Sequence, residues 1–265
     1  MFQNIIKIGV IPMKSKKIEY KKSHVFSKRY QYKETKGIIK GSSLRAIDHA
    51  INTIIKERRI LDSYAEINPE FVSALTPLNL RPDAPRSARL MYTATKPFGI
   101  GPMAAVAGVL ADIGLEAMEK KGAKFGLVEN GGELCAFGDH EFVIGVYAGP
   151  SSSLSGKIGF LITGDDLPLG LGNSSWFGRG RIGKADACIV FAENAGIADG
   201  AATTIGLKVK GNEEKTSIET ALKYGECFSM IRGILIIRGD HIGTTGKIPK
   251  IVQTIPREVD AYLGI

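Results

Sequence analysis

Two stretches of the chain, PMAAVAGVLADIGLEAMEKKG (102–122) and AGIADGAATTIG (195–206), read as helices built largely from small residues. Pro102 suits a first helical turn, the alanines favour helix, and Gly122 ends the first stretch after Glu119, Lys120 and Lys121. Helices of this kind can bring their backbone close to a sheet or a ligand. Strand patterns surround them. They fall at roughly 124–129, ending at Asn130-Gly131-Gly132, then at 142–148 and 157–163, and at the buried-looking ADACIVFAEN (185–194). MIRGILIIRGDHIG (230–243) reads as two strands turning at Gly239-Asp240. Strands and helices alternate, yet hairpins intervene, so an α+β class fits better than a doubly wound parallel sheet.

A chain of 265 residues needs no disulfide or structural metal to hold a core. Cys135, Cys188 and Cys227 are odd in number and far apart, and the four histidines are scattered. A disulfide framework, a thiolate zinc site and zinc-dependent hydrolysis are therefore not expected, and the cysteines read as reduced, in a cytoplasm. No run approaches the ~18 apolar residues of a membrane span, and MFQNIIKIGVIPMK lacks the features of a signal peptide. Pro69, Pro77, Pro82 and Pro85 make 68–86 a surface connection, but no linker composition marks it as a boundary. One domain over 1–265 is expected, with a basic strand region, 1–41, inside it.

Charge is concentrated. Residues 14–40 hold ten Lys/Arg against Glu19 and Glu34, a net of +8, and the remainder holds 25 basic and 25 acidic residues. Ile18 and Tyr20, then Tyr30 and Tyr32, alternate with Lys and Arg as in a half-buried strand pair with a solvated face. The other reading is a surface for nucleic acid or an acidic partner. After it, Ser42 and Ser43 offer N-caps for a helix whose Leu44, Ile47, Ile51, Ile54 and Ile55 share a face, closed by Glu57, Arg58 and Arg59.

Residues 164–183 contain six glycines and the single Trp and read as a mobile loop. Gly178, Gly180 and Gly183 spell GxGxxG, but no strand-to-helix context surrounds them, so a dinucleotide fold is rejected. Arg179 and Arg181 in that loop either grip phosphate or are solvated. Gly99-Ile100-Gly101-Pro102 at a helix start would face an anion with free N–H groups. Asp199 and Thr203 lie one helical turn apart and offer two hard oxygen donors.

The order of these segments resembles the ApbE superfamily, whose characterised members are Mg2+-dependent FAD:protein FMN transferases, and resembles more closely an uncharacterised archaeal and bacterial branch of it. The resemblance is carried by GIGPMAAVAG (99–108), ENGGELCAFG (129–138), GNSS (172–175), KADACIV (184–190) and ADGAAT (198–203). In the branch it extends to YKETKGIIKG (32–41) and NPEFVSALTPL (68–78), covering most of 30–245. It implies a T-fold-like α+β architecture, FAD or a related flavin nucleotide as ligand, and Mg2+ held by Asp199, Thr203 and the Gly101 carbonyl. Ligand contacts are expected from Gly99, Gly101, Met103, Asn130, Gly131, Gly132, Ser174 and Ser175 in these motifs, and from Arg179 and Arg181, which occupy the place of the transferases' His-containing segment, not recognisable in this chain. The chain departs from the transferases at Pro102, where they carry Lys, at Ala107, where they carry Asp, and at Asn173, where they carry Thr. Three readings stay open: a nucleotidyl or FMN transferase, a non-catalytic protein that binds such a nucleotide-like ligand, and an interaction module using the basic segment. Nucleic acid and membrane are not expected partners, and a homo-oligomer is compatible with all three.

Overall fold

A computed structural model describes residues 4–7, 24–150, 152–175, 183–254 and 259–263. Among these residues, two sheets face each other. The larger has nine strands in the order β1 (Asn4–Lys7), β11 (His241–Gly246), β10 (Ile231–Arg238), β9 (Ala187–Ala192), β8 (Leu169–Ser174), β5 (Glu133–Phe137), β4 (Gly126–Asn130), β3 (Thr35–Gly41), β2 (Phe26–Tyr32), and all its pairs are antiparallel. The smaller has four, in the order β12 (Lys250–Gln253), β7 (Ile158–Ile162), β6 (Phe142–Val146), β13 (Ala261–Leu263). Side chains alternate across a strand, so each central strand feeds two cores. In β9, Ile189 and Phe191 enter the core between the sheets, with Phe142, Phe160, Leu134 and Leu171, while Cys188 and Val190 face the helices.

The helices cover the outer face of the large sheet. α1 (Leu44–Ile67) and α4 (Val106–Lys120) pack on the β3–β5 side, and α5 (Ala195–Gly206) and α6 (Glu214–Gly225) on the β9–β10 side. α2 (Pro69–Ser73) and α3 (Arg86–Thr95) close the far ends of α1 and α4 around Phe71 and Met91. The α+β class is as read from the hairpins among the strands. No single helix among the described residues is long and apolar enough to cross a membrane.

Four sequence expectations need correction. Arg58 does not close α1. Its guanidinium bonds Asp62 one turn ahead at 2.7 Å, Glu34 at 2.8 Å and the Thr35 hydroxyl at 2.5 Å, and the helix continues to Ile67. The helix expected from Pro102 starts at Val106, after a 3-10 turn over Pro102–Ala105. The partner of the Tyr30 strand is Thr35–Gly41, and Ile18 and Tyr20 lie outside the described residues. Residues 164–183 are not one long loop, because they contain β8. The Leu-Gly-Leu-Gly run puts Leu169 and Leu171 into the inter-sheet core and turns Gly170 and Gly172 toward α5. A Cβ on Gly170 would lie 1.9 Å from the Asn194 carbonyl carbon, and one on Gly172 would lie 2.3 Å from that of Ala198. These glycines serve close packing of a helix on a strand.

Candidate functional site

Where α4 crosses α5, each helix supplies the cap of the other. A helix start leaves backbone N–H groups without intrahelical partners. At α5, the Ala195 and Gly196 N–H groups donate to Asp112 Oδ1 and Oδ2, both at 2.8 Å, and Asp112 belongs to α4. At α4, the Gly108 N–H donates to Asp199 Oδ2 at 3.0 Å, and Asp199 belongs to α5. The reciprocity requires near-contact of the two backbones. A Cβ on Gly108 would lie 2.3 Å from the Ala195 carbonyl oxygen. Asn194 adds its side chain as the N-cap of α5, bonding the Ile197 N–H at 2.9 Å.

Both carboxylates are deep. Burial raises the Asp199 carboxyl to about 7 against the pull of its amide donors, with the Asp112 charge raising it further. Burial likewise raises Asp112 to about 6, opposed by the Gly196 and Ala195 N–H groups. No Lys or Arg pairs with either among the described residues. The helix dipoles answer the charge only in part.

The turn joining β4 to β5 reaches the same place. Gly131 and Gly132 both have positive φ, 66° and 104°, as a two-residue type I′ hairpin turn needs. The Asn130 Nδ2 donates to the Ala107 carbonyl at 2.8 Å, and its Oδ1 accepts from the buried Tyr30 hydroxyl at 3.1 Å. Behind the turn, Glu129 accepts the Gly132 N–H at 2.8 Å and the Ile38 N–H at 3.1 Å. Asn130, Asp199 and the α4 start thus converge.

A model of the family described as AbpE bacteria matches residues 20–224, which include every one of these groups. The chain belongs to this family. Among its relatives, a UPF0280 protein of Methanopyrus kandleri is 38% identical over 233 residues, covering 86% of this chain and 94% of that protein. A UPF0280 protein of Methanocaldococcus jannaschii is 34% identical over 236 residues, covering 88% and 95%. Solved structures similar to the chain include the apo flavinyl transferase ApbE of Pseudomonas stutzeri, at 13% identity, TM-score 0.48, and 84% and 94% coverage. The ApbE protein of Thermotoga maritima gives 14% identity, TM-score 0.49, and 80% and 94% coverage.

The other residues singled out by the family motifs fall as follows. Thr203 is one turn beyond Asp199 and half-buried, and its hydroxyl makes no hydrogen bond among the described residues. Gly99, with φ 69°, caps the 3-10 turn over Lys96–Phe98. Gly101 precedes the next 3-10 turn, and its carbonyl accepts the Ala104 N–H at 3.2 Å. The N–H groups expected to meet an anion at 99–103 are therefore not those of α4, whose start is already met by Asp199. Met103 packs toward the core formed by α1, α3 and α4. Ser174 lies against Gly206, roughly 10 Å along α5 from Asp199 by helical rise. Ser175 follows it, half-buried. Arg179 and Arg181 lie outside the described residues. Sequence reading missed Asp112, although it is the only charged residue between Val106 and Leu115, an anomaly that calls for a polar partner.

The donor chemistry is compatible with a hard cation. Asp199 is a buried carboxylate without a basic partner, with a hydroxyl one turn away. No cluster of three His, Cys, Asp or Glu able to hold a metal occurs among the described residues, so such a site would draw on neutral oxygens.

Proposed function

We propose that this member of the family binds a flavin nucleotide, FAD or a related diphosphate, with Mg2+ at the junction of α4, α5 and the β4–β5 turn. The observation that carries the reading is Asp199, a buried carboxylate with no basic partner among the described residues, at a helix start beside Asn130. Asp199 and Thr203, with the Gly101 carbonyl, would hold the ion, which would neutralise phosphate oxygens of the ligand. Gly131 and Gly132 would allow close backbone approach, and Arg179, Arg181 and the 99–103 segment would supply further ligand contacts. Pro102 is buried and carries no charge where the transferases carry Lys, and Ala107 offers a methyl where they carry Asp. These departures favour ligand binding over FMN transfer. Three unpaired thiols support a reducing, cytoplasmic setting.

Titration calorimetry with FAD, with and without Mg2+, tests the reading. Asp199→Asn keeps an oxygen acceptor for the Gly108 N–H but removes the charge. It is expected to abolish the Mg2+-dependent part of binding while the melting curve stays cooperative. Equal FAD affinity with and without Mg2+ in the parent protein overturns the reading. Release of AMP from FAD in the same mixture would assign cleavage of the phosphoanhydride in addition to binding, with water taking the FMN where no acceptor protein is supplied.

A further inference from the structure

The nine-stranded sheet is wider than the four-stranded sheet that roofs it. Cross-strand register puts Arg29, Ile38 and Glu129 in one row, which continues into Leu134 and Leu171 of the inter-sheet core. Ser27 and Lys40 form the next row on that face, and Gln31 stands opposite Lys36. The roof ends at β13, where Asp260 pairs with Lys40 at 3.0 Å. Beyond it lies a groove of about 660 Å3, floored by β2, β3 and β4 and walled by residues 259–261. That volume lies within the range of small-molecule sites.

The acidic groups in the groove are committed. Asp260 holds Lys40 and accepts the Val143 N–H at 2.8 Å. Glu129 spends its two oxygens on the Ile38 and Gly132 N–H groups. The basic groups are less so. Arg29 and Lys36 line the groove, close enough to Glu129 to favour its charge, but neither forms an ion pair within 4 Å among the described residues. The Ser27 hydroxyl adds a group that can donate, while the Gln31 amide N–H is already given to the Lys33 carbonyl at 3.4 Å. The lining offers no exposed aromatic ring, since Tyr30 is buried, so a base would find no stacking platform.

We propose that this groove is a second ligand site, taking a small anion with two or more phosphate or carboxylate groups, anchored by Arg29 and Lys36. Guanidinium pairs such groups through two parallel hydrogen bonds, and the ammonium adds a point charge. The groove lies on the inter-sheet side of the β4 strand and shares with the α4–α5 junction the residues Tyr30 and Glu129, which brace the β4–β5 turn, but its anion chemistry does not depend on the function proposed for the junction.

The test is titration of the full chain with pyrophosphate and with citrate, in buffer stripped of divalent metal so that a Mg2+-dependent junction does not contribute. At least one of the two is expected to bind saturably, one per chain, and their relative affinity assigns phosphate or carboxylate chemistry. Arg29→Gln with Lys36→Gln keeps polar, exposed side chains and is expected to weaken that binding at least tenfold. Lys215→Gln with Lys223→Gln, on α6, removes the same charge elsewhere and should change it less than twofold, as should Asp199→Asn. Absence of saturable binding by both anions overturns the proposal, as does equal loss in the α6 control pair. Binding lost in Asp199→Asn also overturns it, by assigning the anion to the junction.

Discussion

The α4–α5 junction and the β2–β3 margin both place carboxylates in a folded chain, and they do it by different means. Along the margin, Asp62, Glu34, Asp48 and Asp260 face Lys33, Arg58, Lys28 and Lys40, mostly with water in reach. At the junction, Asp112 and Asp199 face backbone N–H groups. Dehydrating an ammonium to meet a buried carboxylate is costly, whereas an amide at a helix start is already in place and needs a partner. The dry solution is short-ranged and tied to one backbone geometry, and the wet one tolerates change.

The sharpest way to break that contrast is Gly108→Ala. The new Cβ would collide with the Ala195 carbonyl, and backbone rather than a side-chain tip would have to yield. A loss of about 3 kcal/mol or more is expected, read as a fall of roughly 6–12 °C in Tm.

The next effect is a pH dependence. The Asp112 carboxyl is at about 6 in the folded chain against a reference of 3.8, so the folded state holds an extra proton between those values. Its stabilising contribution is full below about pH 4 and lost as pH rises through about 6, on the order of 2–3 kcal/mol. Asp199 shifts the same way in metal-free protein. Thermal melts from pH 4 to 7 should show the parent losing stability relative to Asp112→Asn, and parallel curves would contradict the assignment.

These junction effects bear on what the sequence could convey. α5 is legible to the residue in AGIADGAATTIG, because Asn194 caps it locally and its composition admits little else. The family motifs single out Asn130 and Asp199 one by one, and in the structure both reach the start of α4, at the Ala107 carbonyl and the Gly108 N–H. The role of Asp199 as cap of another helix was not legible, since a cap across helices is a tertiary fact. β8 was hidden for a related reason. Its glycines look like loop glycines until the α5 backbone is laid against them. The full length of α1 was masked by Arg58, whose partners Glu34 and Thr35 come from outside the helix.

Two smaller effects sharpen the comparison from each side. Asp112→Ala strips the cap from the Ala195 and Gly196 N–H groups and should cost about 1–2 kcal/mol by chemical denaturation at about pH 5, below the folded-state value of Asp112. Lys28→Ala breaks an exposed pair with Asp48 and should change stability by less than about 0.5 kcal/mol in the same assay. A cost for Lys28→Ala as large as that for Asp112→Ala would erase the distinction between the two regions.

Among the described residues, the first and second strands end up on opposite edges of the nine-stranded sheet, with β1 paired to β11. During vectorial synthesis the first strand therefore has no partner until residue 246 has been made. At ordinary elongation rates that is a wait of roughly 10–50 s. The helical layer over β3–β5 is complete in sequence by Phe137 and can form while β1 is still unpaired. A ribosome-bound chain stalled before β11 should thus present its leading end to protease long after α1 and α4 have become protected.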